Sequence, residues 1–429
     1  MKTIKTGWRS IVGLLLISAF SAVAVTVYVE PNRSHFDPDG SWGYPWSTLQ
    51  PGIAAAQGGT VVIKGSSSIY GTMRITNTSL AASPVRLTRD PNHPPVRIGA
   101  APVAQTSFRC ISYNCRLGKP AGPDADDETE SRANAVQNYN WGDWDAFGFS
   151  ELWSYFECYM PFIRQMSLGN DYQIDAFDYA SGTFQHGGLL LYTKRPISQR
   201  HRGVFSDAAN GSEDALASKG WVRCRIEKDG IGIWLYVTHT QADAVSPLTT
   251  WSQIYSAREN QLKEIRDDVL LLRHGSPLFG IPGVASNDVF IVMGDFNVYG
   301  ENREPLGPDI DLYNEYDRFA WVLGPQLGSR QGALVPGVSG MDVAKHFFPK
   351  RTEYTFDWRN SEARYFYPSL TEQESARLDY FIALNSADGK VIIEPTDYEV
   401  LNPTGASTGR ELSDHYPIAA TFRITRIAN

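Results

Sequence analysis

Asp295 and Asn297 stand two positions apart where an apolar run, Asp288-Val-Phe-Ile-Val-Met-Gly-Asp-Phe-Asn-Val298, gives way to polar sequence. If this strand continues past Gly294, its period of two puts Asp295 and Asn297 on one face and Phe296 on the other, and glycine lets a second backbone approach closely. A carboxylate and a carboxamide then point into one space. An Asx turn closing the strand is the plainer use of the same residues. Other strands repeat the arrangement: Trp234-Leu-Tyr-Val-Thr-His239 ends in His239, Phe108 to Asn114 ends in Asn114, and Phe147-Gly-Phe-Ser150 leads into Glu151. Further along, Arg377-Leu-Asp-Tyr-Phe-Ile382 carries Asp379, and Leu412-Ser-Asp-His-Tyr-Pro417 sets Asp414 and His415 side by side before the strand-like run Ile418 to Ile424. Strand after strand delivers a metal-ligating or acid–base side chain, a recurrence that chance placement of surface residues does not explain.

In this order, Asn114 in Ser-Tyr-Asn, Glu151 in Ser-Glu-Leu-Trp, His239 in Thr-His, Gly-Asp295-Phe-Asn297, Leu-Asp379-Tyr and Ser-Asp414-His415, the motifs resemble the endonuclease/exonuclease/phosphatase superfamily from Phe108 to Phe422. The resemblance implies an α+β fold, a four-layer α/β/β/α sandwich of two mainly antiparallel sheets with helices outside, and metal-dependent cleavage of a phosphate ester. It also implies roles. Glu151 and Asn114 would ligate Mg2+, which favours oxygen donors and takes one or two carboxylates, water and phosphate filling the rest; Mn2+ or Co2+ could substitute. His415 would be the general base, with Asp379 fixing its tautomer. Asp295 would orient or help activate the attacking water, Asn297 would donate to a phosphoryl oxygen, and His239 would contact the same phosphate as charge builds. Asp414 would touch the metal or tune its neighbours.

One scaffold of this superfamily cuts DNA, inositol phosphates, nucleotides and phospholipids, so the fold leaves the substrate open. Asp214-Ala-Leu-Ala-Ser-Lys219-Gly220-Trp-Val, then a strand and Thr238-His-Thr-Gln241-Ala-Asp243, is similar to the signature of secreted neutral sphingomyelinases. Gly187-Gly-Leu-Leu-Leu-Tyr-Thr-Lys-Arg-Pro-Ile197, Ser256-Ala-Arg-Glu-Asn-Gln-Leu262 and Ser413-Asp-His-Tyr-Pro417 are similar to it as well. That likeness implies hydrolysis of sphingomyelin to ceramide and phosphocholine, a phospholipid substrate at a membrane surface, with Lys219 facing the phosphate. The alternative on the same residues is a DNase-like nuclease or a soluble phosphatase. A non-catalytic toxin-like or adhesive module would not need the intact set. With a formal charge of -8 and no Lys/Arg-rich run, the chain lacks the basic footprint that tracks a nucleic-acid backbone, so no stable nucleic-acid partner is expected. The resemblance also has a gap. Bacterial sphingomyelinases carry an exposed aromatic hairpin between their Leu-Asp-Tyr and Ser-Asp-His motifs, whereas Ala383 to Glu411 contains no Trp or Phe and only Tyr398. Trp358 and Tyr365-Phe-Tyr367 are the candidates for membrane contact in its place.

Met1 to Ala24 places Lys2, Lys5 and Arg9 before the apolar run Ile11 to Phe20 and Ala22-Val-Ala24, the layout of a secretory signal peptide cleaved after Ala24. An uncleaved anchor would need an apolar core of about 20 residues. The mature chain is therefore expected to be exported, extracellular or periplasmic. There Cys110, Cys115, Cys158 and Cys224 form two disulfides or stay as buried free thiols. Cys110 and Cys115 fall on opposite faces of a regular strand, so neither is suited to pair with the other. Residues 25–104 form a small β-rich segment, with strands at Val25-Thr-Val-Tyr-Val-Glu, Thr60-Val-Val-Ile-Lys64 and Gly71-Thr-Met-Arg-Ile-Thr76. The segment resembles the first turn of a secreted right-handed parallel β-helix, and without further repeats it should dock on the catalytic domain or on another chain. Pro94-Pro95 and Ala100-Ala-Pro102 read as a linker into the catalytic domain, residues 105–429. In that domain Lys119 to Gln137 reads as an acidic loop, and Gly300 to Asn360 as substrate-facing loops. Trp251 to His274, with Ile254, Arg258, Leu262, Ile265, Val269 and Leu272 on one side, reads as a helix outside the sheet that carries no chemistry.

Overall fold

The chain divides into two units, Met1–Ala101 and Pro102–Asn429. The computed structural model describes residues 26–29, 60–63, 86–89, 102–117, 129–153, 172–176, 186–243, 248–276, 281–300, 315–323, 340–348, 354–405 and 409–427. The expected signal peptide, the expected strand at 71–76 and Cys158 lie outside the described residues. In the first unit β1 (Thr26–Val29), β2 (Thr60–Ile63) and β3 (Arg86–Arg89) pair in parallel, in that order, with Val27 opposite Val61 and Val61 opposite Leu87. The sequence reading missed β3, since Arg86-Leu-Thr-Arg is too short and polar to announce itself by periodicity.

In the second unit β4 (Pro102–Leu117), β5 (Ala146–Leu152), β6 (Tyr172–Ala176), β7 (Leu189–Thr193), β16 (Val391–Val400) and β17 (Ile418–Ile427) form a six-stranded sheet in the order β16-β17-β4-β5-β7-β6. A second six-stranded sheet runs β14-β15-β13-β10-β9-β8, from β8 (Gln199–Val204), β9 (Gly220–Lys228), β10 (Ile231–His239), β13 (Val289–Asp295), β14 (Met341–Asp342) and β15 (Asp379–Leu384). The short strands β11 (Gly275–Ser276) and β12 (Ile281–Pro282) pair with each other as a two-stranded sheet. Neighbours are antiparallel except at the middle of each six-stranded sheet, where β4 lies parallel to β5 and β10 parallel to β13.

Those two parallel pairs decide where polar groups can gather. Parallel neighbours end at the same edge, so Asn114 and Glu151 leave one sheet together, and His239 and Asp295 leave the other together. The outer neighbours of β13 and β4 run the opposite way and begin at that edge. β15 starts with Asp379 opposite Asp295, and β17 starts just after His415.

Side-chain alternation supplies the layers. On β13, Val289, Ile291 and Met293 face the other sheet, joined by Phe108, Leu191, Leu235 and Phe422 in the inter-sheet core. Phe290 and Val292 face outward onto α2 (Trp251–His274) and α3 (Glu315–Val322), through Leu262, Ile265, Val269, Phe319 and Val322. On the other side α1 (Thr129–Asn138) lays Ala133 and Val136 over Tyr113, Phe147 and Tyr192. This is the expected four-layer sandwich.

α2 has the bounds its periodicity predicts, opened by a capping box between Thr250 and Gln253. α1, α3 and α4 (Val343–Phe347) instead fall in stretches expected to be loops, and α5 (Ser361–Phe366) follows directly after one, where no helix was expected. They are short and bury few apolar side chains, so their periodicity is faint and tertiary contacts stabilise them. Cys110, Cys115 and Cys224 are buried free thiols, so the disulfide reading does not hold for them. As expected, Cys110 lies in the inter-sheet core and Cys115 on the opposite face under α1. Among the described residues no helix is long and apolar enough to cross a membrane.

Candidate active site

Local backbone geometry turns each strand end into the gap between the sheets. β13 reaches Gly294 at φ 142, where a Cβ would lie 2.0 Å from the Thr238 carbonyl oxygen of β10. Only glycine permits that approach, which brings Asp295 into register beside His239. Asp295 Oδ1 then accepts from the Asn297 backbone N–H at 2.8 Å, with Asn297 at φ 49, while Phe296 turns into the helix-facing core. The Asx turn and the functional carboxylate are thus the same residue, one oxygen serving each use. Glu151 also takes a left-handed conformation, φ 55, uncommon for a residue with a Cβ and maintained by its surroundings.

The side chains meet in a chain of contacts. Asn114 Nδ2 donates to Glu151 Oε1 and to Asp295 Oδ2, each at 2.8 Å. His239 Nε2 lies 3.7 Å from the same two oxygens. Beyond Asp295, His415 Nδ1 lies 2.8 Å from Asp379 Oδ2, and His415 Nε2 is 3.9 Å from Asp295 Oδ2. Asn297 Nδ2 donates to the Thr240 carbonyl at 3.2 Å, which occupies one of its two N–H groups. Thr355 Oγ1 accepts from the backbone N–H groups of Leu378 and Asp379 at 3.0 and 3.2 Å, fixing the carboxylate that holds His415.

Crowding of like charges in a buried space separates the protonation states. Burial, then Asp379, pushes Asp295 from 3.8 up to about 7. Burial, with the nearby charges of Lys219 and His415, holds His239 well below the usual imidazole range, so it is neutral. Burial also opposes charge on His415, but Asp379 and Asp295 outweigh it and raise its pKa to about 10. One pocket therefore holds a neutral and a charged imidazole, suited to different tasks.

The residues fit a hard divalent cation. Glu151, His239 and Asp295 offer ligand atoms within 4.8 Å of one another, and burial first, then the neighbouring Asp379 and Glu151 carboxylates, disfavours a charged Asp295 in the absence of a counter-charge. Among the described residues Asp379 Oδ1 is buried with no hydrogen-bond partner, a further unsatisfied oxygen in the same place. The carboxylate oxygens suit a hard cation better than a soft one. Asn114 faces the two carboxylates with its NH2 group, so it would join the ligands by turning its amide over.

No family model matches the chain. Sphingomyelinase C of Bacillus cereus is 28% identical over 268 residues, which is 60% of this chain and 67% of that protein. Sphingomyelinase C of Leptospira interrogans is 25% identical over 244 residues, 56% of this chain and 36% of that protein. The crystal structure of sphingomyelinase C from Streptomyces griseocarneus matches with a TM-score of 0.50 at 19% identity, covering 74% of this chain and 99% of that one. The fold is of the endonuclease/exonuclease/phosphatase type, close to bacterial sphingomyelinases.

Two of the expected site residues have other partners. The Asp414 carboxylate is 2.8 Å from Arg116 Nη1 and also accepts from Ser413 Oγ, so it does not join the clustered ligand atoms; of its two expected uses it has the second, since its charge helps raise the pKa of neighbouring His415. Against the opposing effect of burial, Arg116 holds the Asp414 pKa below the usual carboxylate range. Lys219, expected to face substrate, is 4% exposed. Its ammonium contacts Thr240 O and Asp214 Oδ1 at 2.8 Å and His239 Nε2 at 3.1 Å, which uses its three donors. It acts on the site through His239. With Nε2 accepting, the His239 proton sits on Nδ1, which has no protein partner among the described residues.

Sequence reading also overlooked supporting groups. Arg258 on α2, fully buried, donates to Gln241 O at 2.8 Å and pairs with Asp243 at 2.5 Å and with Glu315. Tyr299 donates to the same Asp243 at 2.7 Å, so α2 ties together the loops that follow His239 and Asn297. α2 is therefore not the inert cover it was expected to be. A basic residue on the apolar stripe of α2 was the available signal.

Proposed function

We propose that this chain is a metal-dependent phosphodiesterase that hydrolyses sphingomyelin to ceramide and phosphocholine, with Mg2+ as the preferred ion. The observation that carries the reading is the division of one pocket into a side for a cation, around Glu151 and Asp295, and a side for a base, His415 on Asp379. The relatives named sphingomyelinase C support the choice of substrate.

Glu151, Asp295 and Asn114 would hold the cation, which when bound supplies positive charge to phosphoryl oxygens and makes a nearby water easier to deprotonate. His415 donates its Nδ1–H to Asp379, which leaves Nε2 as the position that takes a proton from the attacking water once the charge of the carboxylates is balanced. Asp295 lies between the two sides and orients that water. The remaining Asn297 N–H donates to a phosphoryl oxygen. Lys219, fixed behind neutral His239, keeps a positive charge where the transition state gains negative charge. We further read residues 1–24 as an export signal, and residues 25–104 as a segment that docks on the catalytic domain or another chain.

The test is phosphocholine release from sphingomyelin liposomes, with Mg2+ or with EDTA, beside plasmid DNA and a soluble phosphomonoester. The expected result is Mg2+-dependent release that disappears in His415→Ala. Intact liposomes with cleaved DNA or monoester would refute the substrate while leaving the site assignment standing.

A further inference from the structure

The reaction proposed above needs a lipid phosphate to reach side chains that are nearly closed to solvent, Asp295 at 1% and His415 at 6% exposure. Beside this recess stand Tyr365 in α5 and Tyr367 directly after it, 52% and 44% exposed although α5 is well anchored. Glu362 in the same helix is buried between Arg132 at 3.2 Å and Arg410 at 2.9 Å, and Ser361 donates its backbone N–H to Glu411 at 2.9 Å. The helix cap Asn360 donates to Ser413 O at 3.0 Å, two residues before the catalytic histidine. Phe356 completes the link, its ring 5.8 Å from Tyr367 and 5.5 Å from His415.

The chemistry of this platform is interfacial. Tyrosine joins an apolar body to a polar tip and settles at the headgroup level of a bilayer. Guanidinium groups stack against the same cluster, Arg410 at 4.1 Å from the Tyr365 ring centre and Arg116 at 3.7 Å from that of Phe366. Both guanidiniums are already paired, Arg410 with Glu362 and Arg116 with Asp414, so the patch presents aromatic surface with its local charge balanced, which suits a zwitterionic surface rather than an anionic one. The formal charge of -8 disfavours an anionic membrane as the partner.

We propose that the α5 platform, through Tyr365 and Tyr367, docks the enzyme on a zwitterionic choline-lipid bilayer and sets the mouth of the site at headgroup depth. This rests on the sphingomyelinase reading. Platform and base move together because Phe356 and Asn360 tie α5 to the segment of His415.

The test compares the full chain with the double variant Tyr365→Ser/Tyr367→Ser and with Tyr365→Trp/Tyr367→Trp. Binding is measured by co-sedimentation with vesicles of sphingomyelin and phosphatidylcholine in a His415→Ala background, so that the lipid is not consumed. Activity is measured on the same vesicles and on short-chain sphingomyelin held below its micelle concentration. The serine variant should lose about tenfold or more in vesicle affinity, given two interfacial aromatics. It should lose vesicle turnover in step, keep its rate on the monomeric substrate, and be rescued by tryptophan. Undiminished vesicle binding, an equal loss on both substrates, or binding only to vesicles containing anionic lipid would each overturn the proposal. If wild type cleaves no sphingomyelin in either form, the proposed function fails, and the vesicle-binding comparison still decides the docking surface.

Discussion

Asp379→Asn tests the division of labour in the pocket, because Asp379 has two conceivable uses there. It holds His415 Nδ1 at 2.8 Å, and with Asp295 and His415 it also forms a second cluster of ligand-type atoms. A hydrogen bond to a charged, buried partner contributes about 1.5–3 kcal/mol. At about 1.36 kcal/mol per tenfold, loss of the carboxylate charge should lower kcat roughly 10- to 160-fold. His415→Ala removes the base itself and should cost about 10²- to 10⁴-fold. If Asp379 works only through His415, the double variant Asp379→Asn/His415→Ala will be no slower than His415→Ala alone. The assay is steady-state phosphocholine release with saturating Mg2+, accompanied by calorimetric Mg2+ titration of each variant. Multiplying losses in the double variant, or a fall of more than about tenfold in Mg2+ affinity for Asp379→Asn alone, would refute the assignment and make Asp379 a cation ligand.

Three other outcomes follow from the same geometry. Asp295, raised from 3.8 to about 7, must lose its proton to receive a cation, so Mg2+ affinity measured by calorimetry should rise with pH through about 7 and fall on the acid side. The sign for stability is opposite in chelated protein: the fold favours protonated Asp295, so its contribution is full below 3.8 and disappears as pH climbs through about 7, read from melting temperature against pH in EDTA. Glu151→Gln should abolish the rise in Tm that Mg2+ gives wild type, since stabilisation by a ligand grows with its binding to the native state alone; an unchanged Mg2+ response would remove Glu151 from the ligand set. Gly294→Ala should destabilise by several kcal/mol or prevent folding, because its Cβ meets the Thr238 carbonyl at 2.0 Å in a backbone conformation that L side chains avoid; a soluble variant with wild-type Tm would contradict the close packing of β10 on β13.

The chain announced its site through strand ends. Asn114, Glu151, His239, Asp295, Asp379 and His415 were legible because each closes or opens an apolar run, and the alternation inside those runs follows from a backbone whose side chains point to opposite faces. α2 was legible for a similar reason, with enough apolar positions for its period to rise above noise. The short helices were not, because α1 and α5 bury few side chains and depend on partners far along the chain, such as Arg132 meeting Glu362. Side-chain pairing was equally hidden. Lys219 and Asp414 had the right types for substrate and metal, yet Asp214 and Arg116 occupy them, contacts between residues separated by a short loop in one case and by most of the domain in the other. Sequence thus determined which chemistry this protein carries, since local pattern fixes which residues end strands. Tertiary structure decided how that chemistry is shared out, because the two central parallel pairs bring distant strand ends to one edge, and only there do burial and neighbouring charge make one histidine neutral and the other basic.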